Sequence, residues 1–377
     1  MKKVISLFLV CVILTTLIIP VCAAEDADTS LVQAVSADEI AFVENAMEIR
    51  DIGGEDISVE ILYNTSDEPV YLLGESENGY IVLARDTLSF RECGESDPYK
   101  DFEGNKKFYG GPLCYYVSSN AGDFATYSDE PQLYDVVNGD WTNEMQEIPF
   151  SEENAKVQPE LSRSVAASGT SAKLTNAYSY VQRKAFGYNN DNSCSAVALQ
   201  LALNYLWQQT KLPLVPSAFR LENLTSDANS TTVKTLYPKA HAFHRYLVDD
   251  CGMTGPCYGN GLVDGFDAYA RNNVLATYNF ALTCVLLPDY GTIRYEINSS
   301  RPVLITTGAS IGGGWDYRFH TMVVYGARDL TDDAEMLVHT GWYGAPEITG
   351  SGTACHQTET WLSTGFAGWG YYFSYNG

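Results

Sequence analysis

Cys194 stands where polar Asn192-Ser193 gives way to a run of small and apolar residues, Ser195-Ala196-Val197-Ala198-Leu199-Gln200-Leu201-Ala202-Leu203. A cysteine in the first turn of a buried helix meets unsatisfied amides and partial positive charge, which favour thiolate over thiol. A thiolate that attacks a carbonyl needs a partner to hold a proton and hand it to a leaving amine, which is work for imidazole. Of the five histidines, His320 is the best placed. It follows Gly312-Gly313-Gly314 and opens an apolar strand, Met322-Val323-Val324-Tyr325, 126 residues after Cys194. A third polar group should orient the imidazole. The next strand ends Leu337-Val338-His339-Thr340-Gly341-Trp342, which offers His339 for that role, Thr340 as its substitute, and Trp342 as a shield against solvent.

These residues need a helix and a sheet to bring them together. The segment Cys194–Trp207 is apolar almost all round, the mark of a buried helix. Further helices are predicted near Thr232–Val248 and just before Arg301-Pro302, then strands at 303–307, 320–325, 335–339 and 369–373. Helices first and strands last is the α+β pattern. The preceding half reads as a separate, smaller α+β unit. It has a short helix over 41–50, an alternating strand over Ile57–Tyr63, and a hairpin from Val70–Leu73 and Gly79–Ala84. Between the halves, residues 150–171 are polar and small without periodicity and read as a linker.

The second half resembles the papain-like cysteine peptidases, closest to the streptopain-like branch and related double-glycine leader peptidases. Cys194-Ser195-Ala196-Val197-Ala198 matches the nucleophile helix, and His320-Thr321-Met322-Val323-Val324-Tyr325-Gly326 matches the family's His-x-x-Val-Val-x-Gly strand. The Cys-to-His separation is also close to that of papain-like enzymes. The streptopain-like Asn-Trp-Gly-Trp-Gly-Gly stands here as His339-Thr340-Gly341-Trp342-Tyr343-Gly344, so His339 replaces the orienting Asn. The resemblance implies a two-lobed papain-like domain over 172–377. It also implies an amide side chain shortly before the cysteine for the oxyanion hole, where Asn189, Asn190 and Asn192 compete and Asn189 lies nearest the expected offset. The first half, 25–149, resembles the family's propeptide through Pro69-Val70-Tyr71-Leu72 and Gly79-Tyr80-Ile81-Val82-Leu83-Ala84. The implied protein is a precursor whose N-terminal domain inhibits its own peptidase domain and whose substrate is a polypeptide, with no cofactor and no metal.

Composition bounds the alternatives. The chain has 377 residues, 45% of them hydrophobic, which excludes disorder as the main state. The formal charge of −24 argues against a nucleic-acid partner. That charge is uneven: residues 25–165 carry 31 acidic and 8 basic groups, net −23, and residues 166–377 carry 16 and 13, net −3. Met1-Lys2-Lys3, the apolar run Val4–Ile19 and Pro20-Val21-Cys22-Ala23-Ala24 follow the order of a secretory signal, so residues 1–24 are expected to be removed and the mature chain secreted without a membrane anchor. Seven cysteines then remain, an odd number, and a Cys93–Cys114 bridge is conceivable in the acidic half. His241 and His244 lack further ligands at metal spacing. Two rival functions fit the same residues: another thiol hydrolase or transferase, such as a cell-wall endopeptidase or a glutamyl or acyl transferase, and a catalytically dead binding protein on the same scaffold.

Overall fold

The computed structural model describes residues 34–95, 97–118, 133–137, 139–156, 171–174, 193–220, 230–254, 257, 259–273, 278–307, 320–330, 333–339 and 360–375. The expected leader, Asn189, Asn190, Asn192, Thr340 and Trp342 lie outside the described residues. From Ala37 onward the described residues belong to one compact unit. It is α+β, with helices packed against antiparallel sheet.

Helix α1 (Ala37–Ile49) opens the unit, with Val43, Ala46 and Met47 buried. Strands β1 (Ser58–Leu62), β2 (Tyr71–Ser76), β3 (Gly79–Ala84) and β4 (Phe90–Gly94) follow as an antiparallel meander. The predicted hairpin is β2–β3, paired from Tyr71↔Ala84 to Ser76↔Gly79. A second sheet comprises β5 (Lys107–Tyr109), β6 (Tyr115–Ser118), β7 (Leu133–Asp135) and β8 (Asp140–Thr142). It is aromatic and enclosed on both faces: the consecutive pairs Phe108-Tyr109 and Tyr115-Tyr116 are fully buried, as is Tyr99.

The later half supplies β9 (Ala172–Lys173), α2 (Cys194–Thr210), α3 (Ser230–Asp249), α4 (Asn260–Asn272), β10 (Ala281–Leu286), α5 (Tyr290–Asn298), β11 (Val303–Thr307), β12 (Thr321–Leu330), β13 (Asp333–His339), β14 (Thr360–Ser363) and β15 (Ala367–Ser374). Helix α2 packs on β12, β11 and α3. Every residue from Cys194 to Trp207 is buried, as the apolar run predicts. Its interior contains no Gly or Pro, and it stops at Lys211, which turns left-handed (φ 59°) and returns its N–H to the Trp207 carbonyl. Truncating Leu203 to Ala in this core would cost about 2–5 kcal/mol. Among the described residues, no helix is long and apolar enough to cross a membrane.

The two halves share one sheet. Its order runs β1-β2-β3-β4-β14-β13-β12-β11-β15-β10, with β9 pairing β12 as well. The join is β4 on β14, through Cys93↔Trp361 and Glu92↔Leu362. A buried ionic seam reinforces it. Glu335 on β13, fully buried, accepts from Arg50 Nε (3.0 Å) and Nη2 (2.6 Å) at the end of α1, and from Arg328 Nε (2.8 Å) on β12. The opening of the expected linker is part of this join. Phe150 packs edge-on to Phe366 (4.8 Å), the Ala334 N–H donates to the Ala155 carbonyl, and Lys156 pairs with Asp333 (2.7 Å). Residues 157–170 lie outside the described residues.

The six described cysteines form no disulfide with one another. Cys93 and Cys114 stay apart because they serve different sheets. Cys93 is held on β4, where its sulfur accepts from Arg328 Nη2 (3.5 Å), whereas the Cys114 carbonyl closes a turn with the Gly110 N–H beside β6.

Candidate active site

Helix α2 begins at the predicted nucleophile. Ser193 occupies the N-cap, and its carbonyl accepts from the Ala196 and Val197 amides (2.9 and 3.2 Å). Its hydroxyl does not cap the helix; it bonds instead to Nε2 of His244 on α3 at 2.7 Å. The first turn is thereby anchored to α3 rather than to its own backbone.

The sulfur of Cys194 meets the strand that His320 introduces. The Thr321 N–H donates to Cys194 Sγ at 3.4 Å, across 127 residues of sequence. His320 is therefore one peptide unit from the atom that touches the thiol. Its own backbone is fixed to the end of β11: the Thr307 N–H donates to the His320 carbonyl (3.0 Å), and the His320 N–H donates to Thr307 Oγ1 (3.3 Å). Both side chains lie inside the protein, Cys194 at 4% and His320 at 5% exposure. Burial pushes the Cys194 thiol pKa up, while donors from Thr321 and Ser195 pull it down less strongly. In this state sulfur is stored as thiol rather than thiolate.

His339 ends β13 and pairs with Val323 on β12. Paired residues share a sheet face, so His339 lies on the face of Val323 and, two residues earlier, Thr321. That face carries the Thr321 hydroxyl against Ser195 of α2 (2.8 Å). His339 is thus on the nucleophile's side of the sheet, three positions along β12 from His320. Desolvation lowers its pKa to about 4, so the ring is neutral at pH 7.

A chain of short hydroxyls, not anticipated from the sequence, ties these elements together. Thr306 Oγ1 on β11 lies 3.1 Å from Thr321 Oγ1, which lies 2.8 Å from Ser195 Oγ, which donates to the Cys257 carbonyl at 2.6 Å. Because Ser195 donates to the carbonyl, it accepts from Thr321, and Thr321 in turn accepts from Thr306. Two residues beyond Cys257, the Gly259 N–H donates to the Tyr371 hydroxyl on β15 (2.7 Å), and Thr306 Oγ1 also approaches that oxygen at 3.3 Å. Gly259 has φ +56°, a backbone that suits glycine. Cys257 is thus tied to α2 and Gly259 to β15. Ser195 and Thr321 directly follow the two predicted catalytic residues, the one local signal that could have flagged them.

Gly326, the last residue of the matched His-x-x-Val-Val-x-Gly strand, has a packing reason. A Cβ there would come 2.9 Å from Leu337 Cβ and 3.1 Å from the Ala172 carbonyl where β9 crosses. Of the sequence-predicted site residues, Cys194, His320 and His339 are described: the Thr321 N–H reaches Cys194 Sγ, His320 directly precedes β12, and His339 pairs with Val323 three positions further on. Asn189, Asn192 and Trp342 lie outside the described residues. Among the described residues, no cluster of three or more His, Cys, Asp or Glu side chains could hold a metal ion.

No protein-family model matches the chain, and no curated protein matches it.

Proposed function

We propose that this chain is the precursor of an exported thiol hydrolase that cleaves peptide bonds through Cys194 and His320. The observation that carries the reading is the 3.4 Å contact from the Thr321 N–H to Cys194 Sγ. It joins the head of a helix buried from Cys194 to Trp207 to the residue after a histidine that precedes an apolar strand. Cys194 attacks the scissile carbonyl, and the Cys194 amide together with Asn189 or Asn192 holds the oxyanion. His320 then protonates the departing amine, and water releases the acyl-enzyme. His339 orients His320, and Trp342 shields the pair from solvent. The two-lobed papain-like arrangement and the propeptide role of residues 25–149 belong to the same proposal.

The acidic N-terminal region acts as the intramolecular inhibitor. Its ties to the later half run through β4–β14, the Glu335 seam and residues 150–156. Release therefore requires more than cutting a loop: a sheet pairing and a buried ion cluster must also part. The buried, protonated Cys194 thiol fits a latent enzyme.

The same burial favours the rival of a dead scaffold, so the test must read both chemistry and turnover. The protein, before and after limited proteolysis in the 157–170 stretch, is assayed on casein and on peptidoglycan fragments, and Cys194 is alkylated with iodoacetamide. The proposal expects casein cleavage that rises on processing, is abolished by Cys194→Ala, and falls at least 1000-fold in His320→Ala. Cleavage of peptidoglycan alone would move the reading to a wall hydrolase. Undiminished turnover in Cys194→Ala would refute it. So would a processed protein without turnover in which Cys194 alkylates no faster than the partly exposed Cys284.

A further inference from the structure

We infer that Cys257 is a redox partner of Cys194, closing a reversible disulfide that caps the nucleophile. The inference rests on the reading of Cys194 as the reactive thiol and adds a means of controlling it.

The geometry starts from the backbone. Ser195, the residue after Cys194, donates its hydroxyl to the Cys257 carbonyl at 2.6 Å. The main chain at 257 is therefore within one serine side chain of the first turn of α2, whose first residue is Cys194. Gly259, two residues on, is fastened to β15 by its N–H to the Tyr371 hydroxyl. Cys257 is thus held near the first turn of α2 through its own carbonyl. Burial, and to a lesser extent the nearby Cys194 sulfur, push the Cys257 pKa up.

Exposure gives the pair an order of reaction. Cys257 is partly exposed and Cys194 is buried. A small soluble disulfide meets Cys257 first. The Cys257 thiolate attacks it, forming a mixed disulfide and expelling one thiolate, which takes up the proton Cys257 lost. Cys194 then attacks the Cys257 sulfur and expels the second small thiolate, which takes the Cys194 proton. The sum is two protein thiols and one small disulfide giving one protein disulfide and two small thiols. The other described thiols are poorer partners: Cys93 and Cys114 belong to the N-terminal region, and Cys251 closes the end of α3. Cys284, opposite Tyr371 on β10, is the competitor for Cys257.

The experiment uses the full chain, reduced and then titrated with oxidised glutathione. Non-reducing peptide mapping follows, with cleavage at Met253 to separate Cys251 from Cys257. The expected result is a peptide pair linked through Cys194 and Cys257. Iodoacetamide labelling of Cys194 should fall at least tenfold and recover with dithiothreitol. Cys257→Ser should instead yield only a glutathione adduct on Cys194. Bridging of Cys257 to Cys284 or Cys251, with Cys194 still alkylated at its original rate, would overturn the inference. So would full oxidation in which the wild-type chain carries only glutathione adducts. Neither readout uses peptide hydrolysis, so a bridge in a protein that cleaves nothing would sink the proposed function and leave the disulfide standing.

Discussion

The two halves of the sheet each bury a polar centre, and they do it in opposite ways. On β4, Glu92 is completely buried and receives three long phenolic hydroxyls, from Tyr80 (2.9 Å), Tyr109 (3.1 Å) and Tyr115 (2.6 Å). At the head of α2, the buried groups are short hydroxyls in a line, Thr306, Thr321 and Ser195, ending on the Cys257 carbonyl, with the Cys194 thiol held beside them by the Thr321 N–H. The first centre converges on one ionisable group without a cation. Desolvation outweighs the three tyrosine donors and pushes the Glu92 pKa up to about 7. The second centre keeps its charge-bearing atom neutral until something exposes it. A structural carboxyl can be satisfied in place, whereas a nucleophile must hold its reactivity back.

The seam between these regions gives the largest expected effect. Glu335 neutralises two guanidiniums, Arg50 and Arg328, that also stack on Phe90 (4.4 Å) and Trp361 (3.8 Å). Glu335→Ala takes from Arg328 its carboxylate and leaves Arg50 with Asp333 at 3.5 Å, and should cost about 3–5 kcal/mol. The loss should fall on the joint, so proteolysis of the N-terminal region should quicken before far-UV circular dichroism is lost. Concerted unfolding of both halves, with no earlier nicking, would show that the seam is not where they part.

The pH response should divide the regions next. The Glu92 pKa rises from 4.5 to about 7 on folding, so its contribution is full below pH 4.5 and is lost as pH climbs through 7. The Asp97 pKa, raised by burial and by its hydrogen bond to Glu75, moves from 3.8 to about 8, with the same sign. His339 is the opposite case: its pKa falls from 6.5 to about 4, so stability is intact above pH 6.5 and lost as pH falls through 4. Glu92 and His339 are each worth about 3 kcal/mol across their windows. Denaturant midpoints measured from pH 4 to 9 should show the N-terminal region weakening on the alkaline side and the later sheet on the acid side. Glu92→Gln should flatten the alkaline limb alone. An unchanged limb in that variant would assign the loss to Asp97.

The legible part of this molecule was local. Helix α2 starts at Cys194, where polar Asn192-Ser193 gives way to small and apolar residues, though Ser193 turns its hydroxyl to His244 rather than to the helix, and β2–β3 follows from Gly79 after an Asn-containing turn. Strands β11 and β12 follow from unbroken apolar runs. What hydropathy could not carry was pairing between distant segments. Strand β14 has only four residues, and its partnership with β4 rests on contacts more than 260 residues apart. The expected linker likewise contains Phe150 and Ala155, which pack on Phe366 and bond to Ala334 and leave no periodic trace. At the site, residue types revealed the sulfur and the imidazole. The hydroxyl line was hidden because serine and threonine are common and their direction depends on the fold.

The smallest effect tests that line most sharply. Thr321→Val keeps the shape of the side chain and the backbone N–H that reaches Cys194 Sγ, and removes only the hydroxyl between Ser195 and Thr306. Ser195 keeps its acceptor at Cys257, so the stability cost should be about 1–2 kcal/mol. The Thr321 hydroxyl is also one of the donors that lower the Cys194 pKa. Without it, the pH of half-maximal iodoacetamide labelling should move upward, with labelling at pH 7 slowed severalfold. Thr306→Val loses a hydroxyl one step further from sulfur and should cost similar stability while leaving that midpoint in place. If both variants shift the midpoint equally, the hydroxyls act by holding α2 against the sheet. If only Thr321→Val does, the line ends in a donor that tunes the thiol, a role no tyrosine around Glu92 has.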